Sequence, residues 1–248
     1  MKHFVMRTVL AAGGVLAAAV FATGKPAAED DAGKTAALVS KSDNAMAHQD
    51  YDTAIALATA ALERKPNDAT AARLHYILGV SHYGREELEA SRGEFDEAIR
   101  LDPKMEKAYV GRGGAYAVST STARRDAAKA VADYTEAMRL DPKDPGAFEN
   151  FAWLLATSPD AKVRDGKKAV EYATRACELE QWAGTPGIET LAAAYAETGD
   201  FDKAVKFEEW ALALTGEGDN WAHVMRSKVE TYKARIAWRD RDHGDRDN

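Results

Sequence analysis

The feature that most constrains this chain is a two-helix pattern written five times over. In the second copy His75, Leu78, Gly79 and His82 mark one face of a first helix, and Ser91, Phe95, Ala98 and Pro103 follow on a second. The third copy fills the same places with Tyr109, Arg112, Gly113 and Tyr116, then Ala130, Tyr134, Ala137 and Pro142. The fifth has Ile188, Leu191, Ala192 and Tyr195, then Ala204, Glu208 and Ala211, with Gly216 where the proline would stand. Spacing of i, i+3, i+4, i+7 is one face of an α-helix. Repetition at roughly thirty-five residues means that each unit buries its apolar face against its neighbours, so the chain is expected to be a stacked helical array without a single central core.

The pattern resembles the tetratricopeptide repeat family, whose consensus places Trp, Leu-Gly, Tyr, Ala, Phe and Pro at fixed offsets. The resemblance covers Thr35 to Gly216, and its sharpest pieces are the turns between paired helices: Gln49-Asp50-Tyr51-Asp52 leading to Ala54, and Gly199-Asp200-Phe201-Asp202-Lys203-Ala204. It implies an all-α fold, a right-handed solenoid of about five helix-turn-helix units over 35–68, 72–105, 106–144, 145–184 and 185–218. The first unit departs most, with Lys41 and Ser42 for Leu-Gly and Ala45 for the tyrosine, as suits a terminal repeat that meets water. The stretch from Ala152-Trp153-Leu154-Leu155 to Ala176-Cys177-Glu178-Leu179 resembles a variant common in bacterial proteins and points to a bacterial source.

Two further elements follow from spacing. The third and fourth repeats carry longer turns, and setting them 39 residues apart aligns Arg125-Asp126 with Arg164-Asp165 and Lys129-Ala130-Val131 with Lys168-Ala169-Val170. The two insertions are therefore expected to be equivalent. A C-terminal helix over 219–238 carries Trp221, Val224, Met225, Val229, Tyr232 and Ile236 on one stripe, with Arg226, Glu230 and Lys233 off it. That is what a solenoid needs to cap its open end.

Outside the repeats, Lys2 and Arg7 precede an uncharged run from Thr8 to Ala22. A basic start, a short apolar run and small residues at its end make a secretory signal peptide over 1–24, so the mature protein is expected in the periplasm. The run is shorter than the roughly twenty residues of a comfortable membrane-spanning helix, and an uncleaved N-terminal anchor is the alternative reading. Residues 25–34 are expected as a flexible linker and 239–248 as a disordered charged tail. The net charge of −7 argues against nucleic acid, which asks for Lys and Arg concentrated on one face. Cys177 is the single cysteine, so the chain has no internal disulfide, and its place beside Ala176 marks a small buried core residue.

No motif of metal, nucleophilic or phosphate chemistry is present; Gly79 to Glu86 has Walker-like glycines but Arg85 and Glu86 where Lys and Ser or Thr are needed. His75 and His82, two turns apart, are roughly 10 Å from each other by helix rise, too far to share an ion. No cofactor and no metal are expected, and the chain reads as a non-enzyme. What remains is binding of another protein or peptide. In the family the concave groove is lined by first-helix positions beside the core stripe. Here those are Arg73, Tyr76, Val80 and Tyr83, then Lys107, Val110 and Gly114, then Glu149 and Trp153, then Glu189 and Glu197. The basic residues come early and the acidic ones late, which would suit an extended peptide with oppositely charged ends. An alternative is a self-associating module that uses the inserted loops or the C-terminal helix.

Overall fold

The computed structural model describes residues 26–118, 123–215, 219 and 221–240. Among these there are eleven α-helices and no strand: α1 (Pro26–Ala47), α2 (Tyr51–Leu62), α3 (Asp68–Gly84), α4 (Leu88–Leu101), α5 (Glu106–Ala117), α6 (Ala123–Leu140), α7 (Pro145–Thr157), α8 (Gly166–Leu179), α9 (Thr185–Glu197), α10 (Phe201–Thr215) and α11 (Ala222–Lys233). The fold is all-α and built of helical hairpins. The leader expected over 1–24, Gly216 and the tail from 241 lie outside the described residues. No helix among the described residues is long and apolar enough to cross a membrane.

Helix starts are set by short polar caps. Asp50 accepts a hydrogen bond from the Thr53 N–H at 3.2 Å, Asn67 from Thr70 at 2.9 Å, Asp165 from Lys168 at 3.1 Å and Asp200 from Lys203 at 3.2 Å, each satisfying an amide that has no partner within its helix. At two hinges the preceding residue is left-handed, Gln49 at φ 61° and Gly199 at φ 84°. Glycine takes that conformation freely, and Gln49 does not.

The chain divides into two compact units, one running to Ala115 and the other from Tyr116. In the first, α1 packs on α2, α2 on α3, and α3 on α4. Its core is alanine-rich, with Ala54, Ala58, Ala61, Leu74, Ile77, Phe95 and Ala98 almost fully buried. Phe95, 1% exposed, explains two glycines. A Cβ on Gly79 would stand 2.7 Å from its ring, and one on Gly111 closer still, so the ring is seated between α3 and α5. Gly79 lies in the same repeat as the ring, and Gly111 belongs to the next one, two residues before Gly113, the equivalent of Gly79.

In the second unit α7 packs on α8, α8 on α9, α9 on α10 and α10 on α11, and the first helices α7 and α9 lie side by side. Ile188, Leu191, Ala211 and Met225 form one apolar cluster, and Ala192, Ala196, Ala204 and Tyr232 another. The C-terminal helix therefore docks through Met225 and Tyr232.

Four expectations are corrected. Residues 26–34, expected as a spacer, are the opening of α1: Pro26 suits a helix start, and the alanines and the acidic Glu29-Asp30-Asp31 favour its first turns. The two insertions differ. Arg125-Asp126 lie inside α6, which begins at Ala123, whereas Arg164-Asp165 close an irregular loop before α8. Ala123-Arg124-Arg125-Asp126-Ala127-Ala128 is helix-forming sequence, and Asp165-Gly166 instead makes a cap. The C-terminal helix ends at Lys233 rather than Trp238, because Arg235 turns left-handed at φ 57°, leaving Ile236 59% exposed. Arg239 and Asp240, assigned to a disordered tail, are placed by specific bonds described below.

Candidate functional site

Six of the ten charged, aromatic and valine residues expected along the groove fall in the first unit and four in the second, and each set is placed differently. In the first, Arg73 projects from α3 with a side chain 60% exposed and pairs with Asp43 of α1 at 2.7 Å. Tyr76, Val80 and Val110 are buried, and Tyr76 packs its ring 6.1 Å from that of Phe95. These three serve inter-helix packing. Gly114 is buried as well, and Tyr83 and Lys107 are half-buried. The two histidines singled out on α3 face different carboxylates, His75 bonding Glu94 at 2.7 Å and His82 bonding Glu87 at 2.6 Å. Among the described residues no group of three or more His, Cys, Asp or Glu is arranged to hold a metal ion.

In the second unit Glu149, Trp153 and Glu189 are all buried, and Trp153 and Glu189 are brought together through Lys228. Trp153, on α7, is 7% exposed and donates its indole N–H to Asp240 at 2.7 Å. Thr157, one turn on, donates its hydroxyl to the same carboxylate at 3.1 Å and accepts the Asp240 amide at 3.0 Å. Glu197, at the end of α9, holds Arg239 at 2.5 Å on one side and Arg164 at 3.0 Å on the other. Arg239 and Asp240 thus lie against the ends of α7 and α9.

The centre of the arrangement is Lys228 of α11. Its side chain is 1% exposed and makes an ion pair with Glu189, itself 2% exposed, which also accepts the Trp221 indole N–H at 3.1 Å. The ammonium lies 4.6 Å from the ring centre of Trp153, 5.2 Å from that of Trp238 and 5.6 Å from that of Trp221. Three indole faces and a carboxylate make a cage whose quadrupoles and charge favour a cation. A second carboxylate stands beside it. Glu208 of α10 is fully buried, and neither of its oxygens has a hydrogen-bond partner among the described residues. Burial pushes its carboxyl well above the usual range, with Lys228 opposing and Glu189 reinforcing that rise. Glu208 occupies the place that Phe95 and Tyr134 fill in the second and third repeats.

Lys228, Arg239 and Asp240 were not among the residues expected to matter. One signal was present: Trp221, Met225, Lys228 and Tyr232 are spaced four, three and four, so a lysine stands on the apolar stripe of its helix. Cys177 is buried, and burial together with Glu180 and Glu149 pushes its thiol up to about 12. It is a core residue and no nucleophile.

The arrangement binds side chains and shows no pairing of nucleophile, base and oxyanion donors. Comparison with known proteins agrees. A tetratricopeptide repeat family model matches residues 40–106 and 78–145. A thermophilic tetratricopeptide repeat protein of Thermus thermophilus is 16% identical, covers 81% of this chain and 99% of its own length, and superposes with a TM-score of 0.64. PilF of Pseudomonas aeruginosa is 16% identical over 83% of this chain and 91% of its own, with a TM-score of 0.61. YrrB, described as a tetratricopeptide repeat protein with an unusual peptide-binding site, is 17% identical over 82% and 96%, with a TM-score of 0.51. No curated protein matches the sequence. With the family model matched from residue 40 to residue 145 and the fold shared along four-fifths of its length, the chain carries tetratricopeptide-type repeats there and has the fold of tetratricopeptide repeat proteins.

Proposed function

We propose that the chain is a non-enzymatic adaptor of the bacterial cell envelope, exported to the periplasm, which holds a peptide or helix of another protein against its first helices. Proteins of this family generally mediate protein–protein interactions and are in general non-enzymatic scaffolds. The observation that carries the reading is that the ends of α7 and α9 in the second unit already hold an extended stretch of chain: Arg239 and Asp240 lie on them through indole, hydroxyl, carboxylate and backbone bonds. A face that binds an extended segment in this way has the donors and acceptors to bind one from another chain. YrrB, described as having an unusual peptide-binding site, shares the fold and supports the reading. Export rests on the basic, apolar and small-residue sequence of residues 1–24.

The test is capture from an envelope extract by the chain from Lys25 onward, beside two variants shown to be folded by circular dichroism. Arg73→Ala, Tyr83→Ala, Lys107→Ala alters the first unit; Trp153→Phe, Glu197→Gln alters the second. A partner held by the wild type and lost by one variant supports the reading and says which unit holds it. Equal retention by all three refutes binding at the first-helix faces. Recovery of the protein from the cytoplasm with Met1 intact refutes export.

A further inference from the structure

We propose that the surface formed by α7, α9 and α10 of the second unit is a receptor for a basic, aromatic segment, that the chain's own residues 221–240 fill it as a displaceable ligand, and that a partner segment of the same chemistry takes their place. The proposal rests on the adaptor reading above and gives it a recognition code. Helix α9 presents Glu189 and Glu197 eight residues apart, roughly 12 Å along the axis, and each holds one cation of the C-terminal segment, Lys228 and Arg239. Helix α7 presents Trp153 to the ammonium and, with Thr157, to the carboxylate of Asp240. The matching ligand has a lysine on the apolar side of a short helix, then an arginine followed directly by an aspartate beyond the helix end.

A plain capping helix would have no need of this chemistry. Its seam would be apolar, as it is at Met225 and Tyr232, and a buried ion pair is seldom more stabilising than apolar residues of equal volume. Here the seam carries two buried carboxylates, Glu189 and Glu208, for one ammonium. The Glu208 oxygens, the Tyr232 hydroxyl and the Trp238 indole N–H are buried with no hydrogen-bond partner among the described residues. Each such group opposes docking. The result is a contact that selects strongly for charge while holding less firmly than its area suggests, which is what an exchangeable ligand requires.

The test uses the full chain with Lys228→Glu, which sets a third carboxylate against Glu189 and Glu208 and expels the segment. The probe is a labelled synthetic peptide of residues 219–240. It is expected to bind the variant chain in a salt-dependent manner and to bind the wild type, whose site is filled, roughly tenfold or more weakly; Lys228→Met in the peptide costs about tenfold again, a lost charge-assisted contact. Binding to neither chain overturns the proposal. Because the variant could unfold the unit, hydrogen exchange of the wild type supplies a second reading. The amides of α11 are expected to exchange at least about a hundredfold faster than those of α9, by opening of the segment alone. Equal protection would mean that the segment leaves only on global unfolding, and would overturn the proposal as well. Both readings are independent of partner capture, so a failed capture with successful peptide exchange refutes the adaptor reading alone.

Discussion

Glu208 makes the second unit's stability a function of pH, and Glu208→Gln isolates the effect. Its carboxyl is held well above an ordinary value near 4.5 by burial, so the folded state keeps a proton that the unfolded state releases as pH rises past 4.5. The unfolded state is then favoured by about 1.4 kcal/mol per pH unit until the folded carboxyl itself ionises. Between pH 4.5 and 7 the wild type loses up to about 3 kcal/mol, while glutamine, neutral in both states, loses nothing from this source. The assay is urea unfolding followed by tryptophan fluorescence. All five tryptophans, from Trp153 to Trp238, belong to the second unit, so the signal reports on it alone. At a urea slope of about 1–3 kcal/mol per molar, the variant's midpoint should rise relative to wild type on going from pH 4.5 to 7, by at most about 1–3 M. Titratable groups away from Glu208 are common to both proteins and cancel in the difference, whereas Lys228 and Glu189, which interact with it, are part of the effect. A stability difference that does not change with pH would show that Glu208 is ionised in the core, and the account of the cage would be wrong.

Other consequences can be checked on the same preparations. Lys228→Met leaves Glu189 buried without its cation and should lower second-unit stability by about 3–5 kcal/mol, most of it recovered when Glu189→Gln is added, both read by urea unfolding. Gly111→Ala presses a methyl into the Phe95 ring and should destabilise the first unit by about 1–3 kcal/mol despite alanine's better helix propensity; Phe95→Leu in that background should recover part of the loss, measured by circular dichroism. Cys177, with its thiol pushed up to about 12, has roughly one thiolate in ten thousand at pH 8; it should resist iodoacetamide in the native protein and react promptly in urea, as mass spectrometry would show.

The hinges were the most legible part of the fold. Gln49-Asp50 and Gly199-Asp200 put a left-handed residue directly before a capping aspartate, and that chemistry is local. The helical faces were legible for the same reason, since periodicity is carried within a single helix. What escaped was long-range. Arg125-Asp126 and Arg164-Asp165 look alike as dipeptides, yet helix-forming alanines flank one and Gly166 follows the other. Tyr76, Val80 and Val110 sit beside the core stripe in sequence, but neighbouring helices close over them. Trp153, Glu189 and Glu197 were recognised as a surface, while their occupant was not, because Asp240 lies 87 residues from Trp153. Even so, a lysine on an apolar stripe and a glutamate in an aromatic slot were both visible, and they are the two polar side chains, Lys228 and Glu208, that are buried beside Glu189.

The ring of Phe95 has a consequence for how such an array can be rearranged. It fits because the helix after it offers Gly111. In a gene that duplicated the second repeat in tandem, the residue arriving there would be Ile77, which stands 34 positions before Gly111 in the alignment of the repeats. The ring and the branched side chain would claim the same space, and the copy would have to shift or unfold. Deleting that repeat fails in the opposite sense, for it leaves Gly111 facing a void. The second and third repeats are matched like tenon and mortise, and recombination that treats them as interchangeable beads should yield chains that do not fold.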